Sequence, residues 1–583
     1  MSTPRSPKRI LILDADMTPA LAVARSLDAA KYRVSVASAA RRPITGYSKC
    51  VIETLRYPDP TEDRSAFLTW FQRHTRQRHY DLVIPVTERS LLPLSESRDQ
   101  LPHVKIALPS TESLALALNK NATFKLAEEL GISTPRSFYL HDLADLKNLP
   151  WNLTWPMVIK PSQTLSGSAS GYTRRDVSYA NNLESLRAQC EACLEHSPVI
   201  LQTYFQGQGA GIELIARDGK ILYAFQHVRL HEVPLTGGGS SLRASTEIAP
   251  ELLEAAKKLI SAARWTGVAM VEFKWNSDDC SYCLMEINGR LWGSLPLATA
   301  AGADFPSMLV DLALTGDVPH YPPYRRGIVC RNLARDLMWH EMVLRSKSEH
   351  ITTIPSGRAI AKGLLEVFSF HHYFDIQSLS DPLPGLVDIA RLARHYALRV
   401  TGLCKEHWFF LQQRLLWRNG AIREKLRNSR SILFVCYGNI NRSVVAEAAM
   451  SAIQPSADTR KIRSAGFHEK TDRPADPRMV AVAARHNIAL KNSSSAYVSA
   501  ELIKESDLIF VMEKRHFDQI AMMYPDAAAR TFLLGTASAS RADSVEILDP
   551  YNQIPEIYES CFLRIQKAVL AVSTALHGTH KDA

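Results

Sequence analysis

Residues 431–443 read SILFVCYGNINRS and run directly into VVAEAAMSAI. The apolar run ILFV has strand length, and the segment after the loop has helical spacing. The loop between them carries Cys436, Gly438, Asn439, Arg442 and Ser443. A loop joining a strand's carboxyl end to a helix's amino end presents successive backbone N–H groups. Together with the helix dipole these form an anion site. A cysteine at the mouth of such a site is placed to act as a thiolate nucleophile. Arg442 supplies a two-pronged fork for phosphate oxygens. Gly438 and Asn439 tolerate left-handed backbone, which lets the loop wrap an anion. Ser443 is positioned to donate a hydrogen bond to the sulfur. Cys50 and Arg56 repeat the Cys-to-Arg spacing in CVIETLR, but that strand-like run has no glycine, no asparagine and no following helix, so it is structural.

Outward from this loop, βα alternation continues to the end of the chain. IRSAG, DLIFVM and TFLLG read as strands, with helices from about Pro474 and after Ile554. The pattern predicts a small doubly wound parallel-sheet domain over residues 429–583. Hydrolysis of a phosphate ester also requires a proton for the leaving oxygen. Asp549, in Asp549-Pro550-Tyr551, is the candidate acid.

With these motifs in view, residues 430 to about 578 resemble the low-molecular-weight protein tyrosine phosphatases. The carrying features are the cysteine loop with Gly-Asn and Arg-Ser, the Asp-Pro-Tyr segment, Ser464-Ala465-Gly466 and DLIFVM. The resemblance implies Cys436 as a nucleophile forming a phosphocysteine, with Arg442 binding the transferring phosphoryl group. Asp549 is implied as acid and then base, with Gly438, Asn439 and Ser443 supporting the loop and no cofactor needed. Asn441 stands where the family commonly has a second cysteine, and Val444 where proline is usual. No cysteine lies between Cys436 and Cys561, which argues against the related arsenate-reductase chemistry. Ile440 matches the family's phosphotyrosine-directed members, and Tyr437 and Tyr551 suit an aromatic substrate ring.

At the other end, RILILD, YRVSVAS, DLVIPV and VKIALP read as buried parallel strands of an α/β domain over residues 1–112. Residues 113–320 add MVIKP, VILQTYF, ILYAFQ, VAMVEF and CLMEIN, with the helix ELLEAAKKLISAARW. Glu272 sits inside an apolar strand, costly there unless paired or metal-bound. Strand alternation puts Glu286 and Asn288 on one face, and Glu272 and Glu286 are expected to face each other across neighbouring strands. Two carboxylates and an amide oxygen make a hard-oxygen site suited to Mg²⁺. Lys160 ends a strand and precedes the Gly/Ser loop at Ser166 and Gly167, whose N–H groups suit phosphates.

These features, with Lys120 and the hinge strand, resemble the ATP-grasp ligases in their carbamoyl-phosphate-synthase-like branch. The resemblance implies ATP and Mg²⁺, with Glu272, Glu286 and Asn288 as metal residues. Lys120, Lys160, Ser166, Gly167, Gln202, Tyr204 and Arg290 are implied as ATP contacts. It also implies activation of a carboxylate as an acyl phosphate and transfer to an amine. Gln202-Thr203 stand where the family often has Glu. Arg243, near His227, Arg229 and His231, is expected to pair with the substrate's carboxylate.

The chain has 583 residues, 46% hydrophobic and 22% charged, with a net charge of +10. The length fits roughly four domains and the composition is globular. Most of the positive charge falls between residues 391 and 430, where ten basic residues face Glu406 and Glu424 and alternate with Trp408, Phe409, Phe410 and Trp417. This basic amphipathic stretch closes a helical linker region over residues 321–428. Its preferred reading is a connector packed on a neighbouring domain, with peripheral membrane contact as the alternative. No nucleic-acid module accompanies the charge. Cys190/Cys193 and Cys280/Cys283 have zinc-ribbon spacing but fall in a helical pattern and a hairpin, so no shared zinc site is expected.

No run of ~18 apolar residues indicates a membrane span, the amino-terminal apolar run is too short for a signal peptide, and scattered cysteines point to a reducing cytoplasmic setting. Taken together, the sequence predicts an α/β and α+β multidomain chain. An ATP-grasp fold and a doubly wound phosphatase domain are joined by a helical linker. The expected function is a bifunctional enzyme with a phosphoprotein, ATP and a small carboxylate or amine as partners. The alternative is a phosphatase regulated by an ATP-grasp part that only senses nucleotide or metabolite.

Overall fold

Short apolar β-branched runs separated by amphipathic helices fold here, among the described residues, into four larger sheets and one two-stranded hairpin. The computed structural model describes residues 7–150, 152–161, 165–168, 171–174, 177–194, 198–345, 355–365, 369, 371–490, 494–540 and 544–577. The chain divides into two compact units, Met1–Arg394 and His395–Ala583.

The first unit opens with β1 (Arg9–Ile12), β2 (Arg33–Ser38), β3 (Glu53–Arg56) and β4 (Leu82–Ile84), a parallel sheet in the order β3-β2-β1-β4. The expected strand VKIALP contributes only a single bridge, Ile106 to Val83. A second sheet, ordered β5-β10-β6-β9, contains β5 (Ser137–Leu140), β6 (Met157–Pro161), β9 (Ser178–Ala180) and β10 (Val199–Thr203). Between β6 and β9, a separate hairpin pairs β7 (Leu165–Ser168) with β8 (Gly171–Arg174).

The third sheet has seven strands. They are β11 (Gln208–Arg217), β12 (Lys220–Val233), β13 (Gly239–Thr246), β14 (Gly267–Trp275), β15 (Tyr282–Asn288), β16 (Val329–Arg331) and β17 (His372–Phe374), in the order β15-β14-β11-β12-β13-β16-β17. The last two lie beyond residue 320, so this sheet does not end at the expected boundary, and the 321–428 region is not purely helical. Each is only three residues long, too short to display alternation. The helix Pro250–Ala262 turns Leu252, Ala256 and Leu259 into a core with Ile212, Leu214, Val271 and Phe273.

In the second unit, β18 (Ser431–Cys436), β19 (Lys461–Gly466), β20 (Leu508–Val511) and β21 (Thr531–Leu533) form a parallel sheet in the order β19-β18-β20-β21. Residues of β18 alternate between two cores. Ile432, Phe434 and Cys436 face the helices Arg442–Ile453 and Pro555–His577, while Leu433 and Val435 face the opposite layer. Pleating alone assigns these sides.

The basic segment forms the helix Pro382–Arg418 followed by Ala421–Asn428. As expected of a connector, Phe409, Phe410, Leu416 and Trp417 pack on the second unit's cores. A further apolar stripe on the same helix remains exposed: Val400, Trp408 and Leu415 are about half exposed or more. Among the described residues, no single helix is long and apolar enough to cross a membrane.

Candidate functional site

β18 delivers Cys436 at its carboxyl end, where the sulfur is buried. The following loop is turned inside out. The Tyr437 carbonyl accepts from the amides of Phe467 (2.8 Å) and His468 (3.0 Å), the Gly438 carbonyl from Arg473 Nη2 (2.6 Å) and the Ile440 carbonyl from the Asp476 amide (2.9 Å). In a trans peptide the C=O and N–H point opposite ways. Tying these carbonyls outward therefore turns the N–H groups of Gly438, Asn439 and Asn441 inward. The Asn439 amide lies 3.2 Å from Cys436 Sγ.

Of the two residues that tolerate left-handed backbone, Asn439 adopts it, with φ +51°. Its side chain explains why asparagine stands there. Asn439 Nδ2 donates to Ser443 Oγ and Ser464 Oγ, both at 2.9 Å, and its Oδ1 accepts from the Ala496 amide at 2.7 Å. Because Ser443 Oγ accepts from Asn439, its own proton is free for Cys436 Sγ, 3.0 Å away. Ser464 in turn donates to Glu447 at 2.5 Å. Gly466 is required by close approach: a Cβ there would sit 2.6 Å from the Tyr437 carbonyl and 2.8 Å from the Asn439 amide.

Arg442 opens the helix Arg442–Ile453 and is fully buried. Nη1 binds Glu513 and the Ile547 carbonyl, and Nη2 donates to Asp549 Oδ2 at 2.5 Å. The acid loop and the arginine are thus in direct contact. Burial opposes the Arg442 charge, but Cys436, Asp549 and Glu513 together hold its pKa above the ordinary value. Burial likewise works against the Glu513 carboxylate, and hydrogen bonds from Arg442 and Arg515 hold it below the ordinary range. Glu513, Arg473 and Glu447 carry no assignment from sequence, and Ser464 enters there only through the Ser464-Ala465-Gly466 match. Glu513 had a readable signal, since it lies just past the carboxyl end of the strand beside β18, where open α/β sheets place their ligand contacts. Tyr437, next to Cys436, and Tyr551, two residues after Asp549, are each about half exposed.

In the first unit, Glu272 on β14 is directly opposite Glu286 on β15. Asn288 Nδ2 donates to Glu286 Oε1 at 3.0 Å, leaving the amide oxygen for another partner. Glu272 Oε2 meets Arg229 Nη2 at 2.6 Å. Arg229 reaches it by crossing Gly209, where a Cβ would fall 2.7 Å from Arg229 Cδ. Burial would raise the Glu286 carboxyl, but Lys120, Asn288, Arg290 and Lys160 hold it below the ordinary value. The Lys160 ammonium is lowered to about 8, by desolvation and by the neighbouring Lys120. Two crowded ammonium groups beside two carboxylates and an amide oxygen fit a polyanion carried with a divalent cation. Lys120, Glu286, Asn288 and Arg290 line one cavity of about 400 Å³.

Gln202 shares a face of its sheet with Lys160, opposite the side where Met157, Ile159 and Leu201 form a core. Among the described residues its Oε1 is buried without a partner, while Nε2 donates to Ser137 at 2.9 Å. Tyr204 sits edge-on to Tyr179 at 6.2 Å. Ser166 and Gly167 lie on β7, and Ala169 and Ser170 fall outside the described residues.

Arg243 corrects the sequence expectation. It is buried, its guanidinium pairs with Asp375, and its side chain also reaches the Gly293 carbonyl at 3.4 Å. It is committed to the fold and is not held open for a substrate carboxylate. Arg290 pairs with Glu88 at 3.4 Å. Cys190 is in the helix Leu183–Leu194 and Cys283 on β15, in different sheets' surroundings.

A buried thiol in an inward-facing amide loop, an arginine fork and a carboxylic acid define a cysteine-dependent phosphatase domain. Residues 431–581 match the family model described as low molecular weight phosphotyrosine protein phosphatase. The protein is 36% identical over 140 residues to a putative low molecular weight protein-tyrosine-phosphatase of Klebsiella pneumoniae, covering 24% of this chain and 92% of that one. It is 32% identical over 146 residues to the phosphatase Wzb of Salmonella typhi, covering 25% of this chain and 93% of that one. Through this domain the chain belongs to the low-molecular-weight protein-tyrosine-phosphatase family. Residues 195–335 match a model described as ATP-grasp in the biosynthetic pathway with Ter operon. Among solved structures, an L-amino acid ligase from Bacillus licheniformis is similar at 16% identity, covering 54% of this chain and 75% of that one, with a TM-score of 0.42. The chain joins a phosphatase domain to an ATP-grasp domain.

Two outcomes follow from this geometry. Gly466→Ala should lower phosphatase kcat at least about tenfold in a folded protein, because its Cβ displaces the loop that aims the amides; retained kcat in steady-state assays would contradict it. His516, buried next to Glu513, has its pKa lowered to about 3 by desolvation and by Arg442. The unfolded histidine takes a proton below about 6.5 and the folded one does not. Stability should therefore fall by about 1.4 kcal/mol per pH unit as pH drops below that value. His516→Gln retains an uncharged acceptor for the Glu513 amide and should flatten urea-unfolding stability between about pH 6.5 and 5.

Proposed function

We propose that the carboxy-terminal domain hydrolyses phosphotyrosine in a protein partner through a phosphocysteine. The observation carrying this reading is the convergence of Cys436, Arg442 and Asp549 around the inward-facing amides of Gly438, Asn439 and Asn441. The amides and one arm of Arg442 bind the non-bridging phosphoryl oxygens. Cys436 Sγ forms a bond to phosphorus as the ester bond breaks, and Asp549 donates its proton to the departing phenolate oxygen. Asp549 then accepts a proton from the water that attacks phosphorus. The S–P bond breaks, and the Ser443 hydroxyl stabilises the returning thiolate. Glu513 keeps hold of Arg442 throughout, so the arm released from Asp549 turns toward phosphate without losing its aim. Tyr437 and Tyr551 offer aromatic surface to the substrate ring.

We further propose that the ATP-grasp domain is an ATP-dependent ligase acting on a carboxylate and an amine. Glu272, Glu286 and Asn288 would hold Mg²⁺, which neutralises phosphate charge when bound. Lys120, Lys160 and Arg290 would bind the phosphates. The orphaned Gln202 Oε1 supports a nitrogen donor, such as an adenine amine, lying on that face of the sheet. Nine unpaired cysteines support a reducing, cytoplasmic setting.

Three variants test the assignment. Cys436→Ser should abolish hydrolysis of p-nitrophenyl phosphate and leave ADP release intact, while Glu286→Ala should do the reverse. Loss of both activities in either folded variant defeats the picture of two independent sites. Asp549→Asn should reduce turnover of a phosphotyrosine peptide by about 10²-fold or more, and that of an activated aryl ester much less, because the latter leaving group needs little protonation. ADP release measured across panels of amino acids and sugar acids tests the ligase. ATP binding without turnover on any such pair would favour a sensing role.

A further inference from the structure

The helix Pro382–Arg418 has two apolar faces near its end, and only one of them is covered. On the covered face, the rings of Phe409 and Phe517 are 4.8 Å apart. There Gln413 accepts from the Leu533 amide at 3.1 Å, and Trp417 is in the core with Ile432 and Phe434. The other face is a stripe of Ala397, Val400, Cys404, Trp408, Leu411 and Leu415, spaced by three or four residues along about 27 Å of helix. All six are exposed, Trp408 by 64%.

Basic residues border this stripe on both sides, with Arg399 on the far side. At 3.6 residues per turn, Lys405 borders one side, and His407 and Arg418 border the other. Glu406, the one acidic residue between positions 395 and 418, falls roughly 150° away from the stripe's midline.

We propose that this stripe lies flat on a bilayer surface carrying anionic lipid headgroups. An apolar line with a central tryptophan, basic residues on both borders and the acid turned away is the arrangement of an interfacial helix. The borders would meet anionic headgroups while the stripe enters the acyl boundary. The same charge pattern disfavours a second copy of this helix. In a two-helix seam the flanking positions pair across the interface, and here they would set basic residues against basic ones.

The test is co-sedimentation of the full chain with vesicles of phosphatidylcholine alone, or with about one third phosphatidylglycerol. Binding to the anionic vesicles should be about tenfold or more tighter than to the neutral ones and should weaken as salt rises. Trp408→Glu and Lys405→Glu should each reduce it about tenfold, with p-nitrophenyl phosphate hydrolysis unchanged. Both residues are exposed, and neither is among those assigned to the phosphatase site. Failure of the wild-type chain to pellet with anionic vesicles overturns the proposal, as does equal binding to neutral vesicles or pelleting indifferent to Trp408→Glu. A dimer split by Trp408→Glu, or an acidic protein segment bound through the stripe without any vesicle binding, overturns it in favour of those partners.

Discussion

The phosphatase site depends on where three carbonyl oxygens point. Tyr437, Gly438 and Ile440 each surrender their C=O to a donor outside the loop, and only that outward anchoring leaves the amides facing Cys436. A buried backbone group must find a partner somewhere, so the donors at Phe467, His468, Arg473 and Asp476 belong to the anion site although none points into it. The Asn439 side chain then links Ser443, Ser464 and the Ala496 amide. The cradle is therefore held by segments from β19 and its following loop as much as by its own residues.

The ATP-grasp domain solves the complementary problem of gathering cations and carboxylates on a sheet surface. Register places Glu272 against Glu286, and the irregularity between Glu272 and Phe273 resets the pairing so that Cys283 faces Lys274. Gly209 and Gly211 strip side chains from the neighbouring strand. Arg229 and His227 lie across the cleared backbone, where a Cβ on Gly211 would be 2.5 Å from His227 Cε1.

What was legible in the sequence followed from local pattern. The strand, loop and helix around Cys436, and the acidic strand residues Glu272 and Glu286, stand out because burying a thiol or a carboxylate in an apolar run demands a reason. The strands of three residues at Val329 and His372 carry no period to read. Glu447, Arg473 and Glu513 are ordinary charged residues until the fold brings them to the loop. Arg243 shows the converse: its setting among histidines and glycines advertised a ligand contact, but the fold supplies Asp375, a partner 132 positions away that no local window includes. The basic amphipathic character around Trp408 was legible, but which of its apolar residues stay uncovered was not, since a helix with two apolar faces reads the same whether one or both are covered.

Arg442 meets its ligand already engaged, with one arm on Asp549. Admission of a phosphoryl group is therefore an exchange of one oxyanion for another, not the filling of a naked cation. The entering group must outcompete a tethered carboxylate that is always present at high local concentration. On the proposed reading, the inward-facing amides would supply the further contacts that let a phosphoryl group do so. The displacement that would then admit a phosphoryl group to Arg442 would also release the Asp549 side chain toward the leaving oxygen.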